Sequence, residues 1–157
     1  MAGAHPDGHI GQATTDATHL IKVAVQAACG LRSSVEIYGT DYPTEDGTCV
    51  RDYIHVMDLA QAHLLASGAL MAGGPSEIYN VGYGRGYSVR EVLGAVERVS
   101  GVALRVVSGA RRAGDLVSVV ADNGKIRRDL NFVSQFADLD LICKTAYQFE
   151  KSRMGQG

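Results

Sequence analysis

Ile37-Tyr38-Gly39-Thr40-Asp41-Tyr42-Pro43-Thr44-Glu45-Asp46-Gly47-Thr48-Cys49-Val50-Arg51-Asp52-Tyr53-Ile54-His55-Val56 is the stretch on which the reading of the fold turns. Val35-Glu36-Ile37-Tyr38 alternates apolar and polar residues, the period of a short half-buried strand. Gly39 to Cys49 is crowded with Asp, Pro, Thr and Gly, residues that make turns through preset φ angles or side-chain bonds to the backbone. Arg51 to Val56 reads as a second short extended run. Asp58 then stands where a side-chain oxygen can cap a helix running to about Met71, and Gly73-Gly74-Pro75 stops it. Strand, loop, strand and helix in close succession predict a mixed α/β chain.

Upstream, Met1 to Thr15 holds three Gly, one Pro and no apolar period, and reads as a loop. A domain of this class usually opens with a strand, so the loop suggests a preceding segment. From Asp16 to Ala28, Leu20, Ile21, Ala24, Val25 and Ala28 share one face of a helix, and Gly30 suits the left-handed position beyond its end. Downstream, Glu77 to Val81 reads as a strand, and Ser88-Val89-Arg90-Glu91 is a capping box opening a helix that ends at Gly101. Leu104 to Val107 reads as a strand, Asp122 as the cap of a short helix to Leu130, and Asp138 as the cap of a last helix. In that last helix Leu139, Ile142, Ala146 and Phe149 share a face. The expectation is short strands with four to five helices.

The 157 residues are 46% apolar and 20% charged, with a net charge of −2, which excludes a disordered or collagen-like chain and any broad basic field for nucleic acid or anionic lipid. The longest apolar run, Leu20 to Leu31, is broken by Lys22 and Gln26 and falls short of the roughly 18 to 20 residues of a membrane span. No basic stretch followed by an apolar one marks a secretory signal at the N-terminus. Cys29, Cys49 and Cys143 are odd in number and far apart, so free thiols in a reducing cytoplasm are expected rather than a disulfide framework or structural zinc. No histidine pair has metal-ligand spacing, and His55 and His63 are expected on a strand and on a helix surface.

Three motifs carry possible chemistry. Gly82-x-Gly84-x-Gly86 lies between a strand and a capped helix, where amides attract phosphate, but Tyr87 stands where a dinucleotide fingerprint needs spacing to a third Gly. A tight turn is the favoured reading. Tyr147-x-x-x-Lys151 matches the spacing by which a Lys lowers a catalytic tyrosine's pKa, but it sits at the chain's end and is read as coincidence. Arg111-Arg112-Ala113-Gly114-Asp115 can wrap a phosphorylated sugar, with guanidinium forks on phosphate and Asp on ribose, or it is a solvated basic loop. Arg51 likewise either faces a ligand or pairs with Asp52.

Taken together, Gly3-Ala4-His5-Pro6-Asp7-Gly8, the Ile37–Val56 stretch, Asp58-Leu59-Ala60, Tyr79-Asn80-Val81-Gly82 and Arg111-Arg112-x-Gly114-Asp115 resemble the UDP-glucose 4-epimerase family, extended short-chain dehydrogenases/reductases. The motifs follow the family's order over residues 3 to about 150 and match only its second half. The resemblance implies that residues 1–157 are the UDP-sugar-binding C-terminal domain. The nucleotide-binding Rossmann half, with its glycine turn for NAD and its catalytic Ser/Thr and Tyr-x-x-x-Lys, is then largely absent. In the family a hydride passes from C4 of the hexose to NAD and returns on the other face, while a tyrosine shuttles the O4 proton. The second half anchors the uridine diphosphate.

Position by position, the resemblance implies that Leu20, with His19 beside it where Asn is common, offers an amide to the diphosphate. Glu36, Ile37 and Tyr38 line the uracil, with Tyr38 as the aromatic wall. Arg51 and Arg112 hold the diphosphate, and Asp115 the ribose. Val119 stands where the family often has an aromatic, and Leu130-Asn131-Phe132 replaces its usual Leu-Gly-Trp. The family's substrate-contacting Asn falls just before Met1. Leu59, Leu64, Leu65 and Leu70 are expected to pack partly on the missing half. The implied cofactor is NAD in the intact enzyme and none on this chain alone, with no catalytic residue here. Implied partners are a UDP-sugar, the missing half and a homodimeric copy, with no nucleic acid or membrane. The alternatives are a related epimerase or dehydratase, a UDP-sugar-binding module without catalysis, and a fragment that does not fold alone.

Overall fold

The computed structural model describes residues 1–14 and 16–155. Ten elements follow in order: α1 (Leu20–Ala28), β1 (Val35–Tyr38), β2 (Val50–Arg51), α2 (Val56–Met71), β3 (Tyr87–Ser88), α3 (Val89–Ser100), β4 (Val106–Gly109), β5 (Ser118–Val119), α4 (Gly124–Leu130) and α5 (Leu139–Met154). Five helices and short strands make the mixed α/β chain that the alternation of patterns predicts.

The main core forms where three helices meet β1. Ile21, Ala24, Val25 and Ala28 of α1 face Val92, Leu93, Ala95 and Val96 of α3, with Leu139, Ile142 and Cys143 of α5 closing the third side. Ala24, Ala28 and Ala95 are small enough to bring the helix axes close. Val35 and Ile37 of β1 enter the same core, while Glu36 and Tyr38 point outward. The helix α3 is locally determined at both ends. Ser88 Oγ accepts from the Glu91 amide, Glu91 reaches back to the Ser88 amide, and Gly101 closes the helix at φ 71°. Asp138 caps α5 by accepting from the Leu141 amide.

Two small sheets bracket the core. β1 pairs in parallel with β4, with Val35 opposite Val106 and Tyr38 opposite Gly109. β2 lies between β3, antiparallel, and β5, parallel. Arg51 therefore sits on a central strand, opposite Tyr87 and Val119.

Several expectations change. The first helix starts at Leu20 rather than Asp16, and the strand near Leu104 runs from Val106 to Gly109. Only Val50 and Arg51 of the second extended run form a strand; beyond them a single bridge joins His55 to Ala2. Glu77 to Val81 is not a strand, because Tyr79 and Val81 pack toward Ala62, Ile126 and Phe132 and no strand lies beside them. Asn123, not Asp122, precedes α4, and the Asp122 carboxylate accepts from the Gly124 amide. On α2, Leu64 and Leu70 are exposed while Leu59 and Leu65 are half-buried.

Asp58 is not a cap. It is buried in the first turn of α2 and accepts from the Tyr83 hydroxyl at 2.6 Å and from the amides of Gln135 and Phe136, both at 2.9 Å. The cap is His55, which is fully buried and precedes the helix rather than lying within a strand: Nδ1 accepts from the Met57 amide at 3.1 Å, and Nε2 lies 3.1 Å from Thr145 Oγ1. Its ring stacks on Phe136 at 4.5 Å.

Burial pushes the His55 pKa below its ordinary 6.5, against a smaller upward pull from Asp58. The unfolded chain therefore takes up a proton at this side chain that the folded chain resists. Stability is full above pH 6.5 and falls as pH drops through that value. His55→Asn retains a capping side chain and removes the titration, so its melting temperature should fall less between pH 7 and pH 5 (about two units below neutrality) than that of the parent chain. Equal slopes in thermal melts would show that His55 does not contribute.

Candidate functional site

A cleft of about 650 Å³ opens between the start of α1, the exposed face of β1, the β2 strand and the Arg111–Asp115 loop. One wall is the N-terminus of α1. The first helix bond there runs from the Val23 amide to the His19 carbonyl, which leaves the amides of Leu20, Ile21 and Lys22 outside the helix ladder. His19 makes no side-chain cap, and no acidic residue occupies the first turn. These amides and the helix dipole favour an anion at this end.

The opposite wall is cationic and aromatic. β2 carries Arg51 into the cleft, its Nη1 donating to the Val50 carbonyl at 2.8 Å and its Nη2 3.8 Å from Asp115 Oδ1. The partner is thus Asp115, not Asp52. Arg112 donates through Nε to Asp115 Oδ2 at 3.2 Å, and its guanidinium lies 4.2 Å from the centre of the Tyr38 ring. Glu36, two residues before Tyr38 on the same face of β1, raises the phenol's pKa through hydrogen bonding and charge. Arg111 is a different matter. Its Nε donates to Asp41 Oδ1 at 2.7 Å, and its guanidinium covers the Tyr42 ring at 4.1 Å, away from the cleft. The twin arginines therefore diverge.

His19, Leu20, Glu36, Tyr38, Arg51, Arg112 and Asp115 all line the one cleft. Ile37 does not: the strand's period turns its side chain into the core, where it is 2% exposed, so a ligand could meet only its backbone. Arg32, Cys49, Asp52 and Tyr53 also line the cleft without having been singled out. Arg32 comes from the turn after α1, held by Gln26 Oε1 at 2.7 Å and the Ala17 carbonyl at 3.2 Å, and no local motif announces it. Burial pushes the Tyr53 phenol up to about 12, which leaves it protonated at neutral pH.

The Gly82–Gly86 turn is filled from within. Asp52 accepts from the Tyr83 amide at 3.0 Å, the Gly84 amide at 3.0 Å and the Ala121 amide at 3.4 Å. A Cβ on Gly82 would lie 2.6 Å from Asp52 Oδ2, so glycine is required for this approach. The anion on this turn is the protein's own carboxylate.

The fold is that of part of an extended short-chain dehydrogenase/reductase. The chain belongs to the NAD dependent epimerase/dehydratase family, whose model matches residues 2–82. It is 52% identical over 152 residues to a UDP-glucose 4-epimerase of Azospirillum brasilense, a match that covers 97% of this chain and 44% of that protein. The solved UDP-glucose 4-epimerase of Brucella ovis, in complex with NAD, is 44% identical with a TM-score of 0.89 over 94% of this chain and 46% of its own. The enzyme of Stenotrophomonas maltophila, solved with NAD and formylated UDP-arabinopyranose, is 36% identical with a TM-score of 0.95 over 99% of this chain and 46% of its own. The chain thus spans a little under half the length of these relatives.

The Tyr147–Lys151 pair stands apart from the cleft. Tyr147 packs against the three-helix core, and Lys151 Nζ is exposed, 5.9 Å from the Tyr147 ring centre. Tyr147→Phe should leave nucleotide affinity within about twofold of the parent chain, a difference on the order of 0.4 kcal/mol. Calorimetry checks this, and a tenfold loss would give the pair a function.

Proposed function

We propose that residues 1–157 form a UDP-sugar-binding domain, the substrate-holding portion of an NAD-dependent UDP-glucose 4-epimerase acting in cytoplasmic galactose metabolism. What carries the reading is the convergence of Arg51, Arg112, Asp115, Tyr38 and the open α1 terminus on one cleft. The diphosphate lies between the Leu20 amide, flanked by His19, and the two guanidinium groups, where charge-assisted bonds and the helix dipole act together. The uracil stacks on Tyr38 beside Glu36 and meets the backbone of Ile37. Asp115 accepts from the ribose hydroxyls. Binding energy taken on the nucleotide in this way holds the hexose in place for a reaction carried out by groups beyond this chain.

NAD does not fit the described residues. The glycine turn between Val81 and the start of α3 is the one turn in the sequence that approaches a dinucleotide fingerprint, and its amides already serve Asp52. A dinucleotide there would place like charges together and orphan that carboxylate. On this reading the intact enzyme's NAD is held by residues beyond this chain. The same mismatch favours, as a second reading, a UDP-sugar-binding module without catalysis.

Two measurements test the reading. Arg51→Ala should weaken UDP binding by roughly ten- to a hundredfold while uridine is unchanged, since one charge-assisted contact is worth about 1.5–3 kcal/mol. Equal calorimetric affinity of the parent chain for UDP and uridine would remove the diphosphate role. Nucleotide extraction from the purified chain should yield no stoichiometric NAD, and a coupled UDP-galactose assay with NAD added should stay at background. Bound NAD or turnover would place a cofactor site within these residues.

A further inference from the structure

The two groups assigned to opposite ends of one nucleotide, Tyr38 and Arg112, lie on each other. The Arg112 guanidinium covers the Tyr38 ring, 4.2 Å from its centre. Its single ion-pair partner among the described residues is Asp115, through one bond at 3.2 Å, and that carboxylate's other oxygen faces Arg51 at 3.8 Å. The side chain of Arg112 is 56% exposed. Its neighbour Arg111 makes the same kind of aromatic contact, 4.1 Å from Tyr42, but donates to both the carboxylate and the backbone carbonyl of Asp41. Of two adjacent arginines on one loop, one is anchored at two points and the other rests on a ring and a single long bond.

We propose that Arg112 is a specificity-determining residue that restricts the cleft to nucleoside diphosphates and disfavours nucleosides; this rests on reading the cleft as a UDP site. A base arriving alone must push the guanidinium off Tyr38 and offers it nothing in return. A ligand that brings a diphosphate offers a planar, doubly accepting partner with more charge than Asp115. As the guanidinium moves to the phosphate it uncovers the ring for the base and releases Asp115 toward the ribose. Recognition of phosphate and recognition of base are then one event. Displacing an exposed cation from an aromatic face weakens a competing base by about two- to fivefold.

The test titrates the 157-residue chain with uridine, followed by proton NMR, and with UDP, followed by calorimetry. Arg112→Ala should bind uridine about two- to fivefold more tightly and UDP roughly ten- to a hundredfold more weakly. The opposite signs are the signature. If UDP weakens and uridine is unchanged or weaker, Arg112 is an ordinary phosphate ligand and the proposal is wrong. If the parent chain binds UDP no better than uridine, the UDP reading itself fails, and this inference with it. Should Arg112→Ala not melt cooperatively, Arg112→Gln serves in its place. It retains much of the side chain's length but loses the cation that covers the ring, so uridine should again bind more tightly, and an unchanged uridine affinity would overturn the proposal.

Discussion

The Asp52 carboxylate holds the molecule's second half to its first. It accepts amide bonds from Tyr83, Gly84 and Ala121, residues that lie 31 to 69 positions further along the chain. Six residues on, Asp58 does the same with the Tyr83 hydroxyl and the amides of Gln135 and Phe136. A carboxylate removed from water, in part at Asp52 and fully at Asp58, depends on such donors being in place. These two side chains therefore order the turn before α3, the exit of β5 and the approach to α5 together. Arg51 stands next to Asp52, and its position in the cleft follows from the same set of bonds.

That constraint separates the polar groups into two kinds. Asp52, Asp58, Arg111, His55 and the Lys22–Glu150 pair are spent on structure, each with partners inside the fold. Arg51, Arg112, Asp115, Glu36 and the amides at the start of α1 have weak or no internal partners and share one cleft. A site that must give up its internal contacts to a ligand is built from the second kind. Residue type alone does not sort them, since Arg111 and Arg112 are adjacent and chemically identical.

The division of labour also explains why a chain spanning 44–47% of its relatives retains a recognisable cleft. The groups that line the cleft come from α1, β1, β2 and one loop, all within these residues. The exposed apolar side chains of α2, Leu64, Leu70 and Met71, lie on a helix whose buried residues are only Asp58 and Ala62. Helix α2 is thus the least covered of the longer elements, while α1, α3 and α5 close on one another.

Local rules made much of the fold legible. The capping box at Ser88 and Glu91, the left-handed Gly101, the Asp138 cap and the alternation of Val35–Tyr38 each act within a few residues, so their outcome is written in the sequence itself. The candidate residues of the cleft were named through family motifs, and the period of the strand already turned the Ile37 side chain inward, leaving only its backbone toward the cleft. What only the tertiary structure decided depends on partners far along the chain. The two-residue strands β3 and β5 exist because β2 lies between them, and Glu77–Val81 is no strand because nothing pairs with it. Asp58 reads as a cap until Tyr83, Gln135 and Phe136 surround it, and His55 reads as a strand residue until Thr145 and Phe136 bury it as the cap of α2. Short-range hydrogen bonds and periodicity are properties of a segment; burial, charge pairing and the direction an arginine takes are set by segments that meet only when the chain has folded.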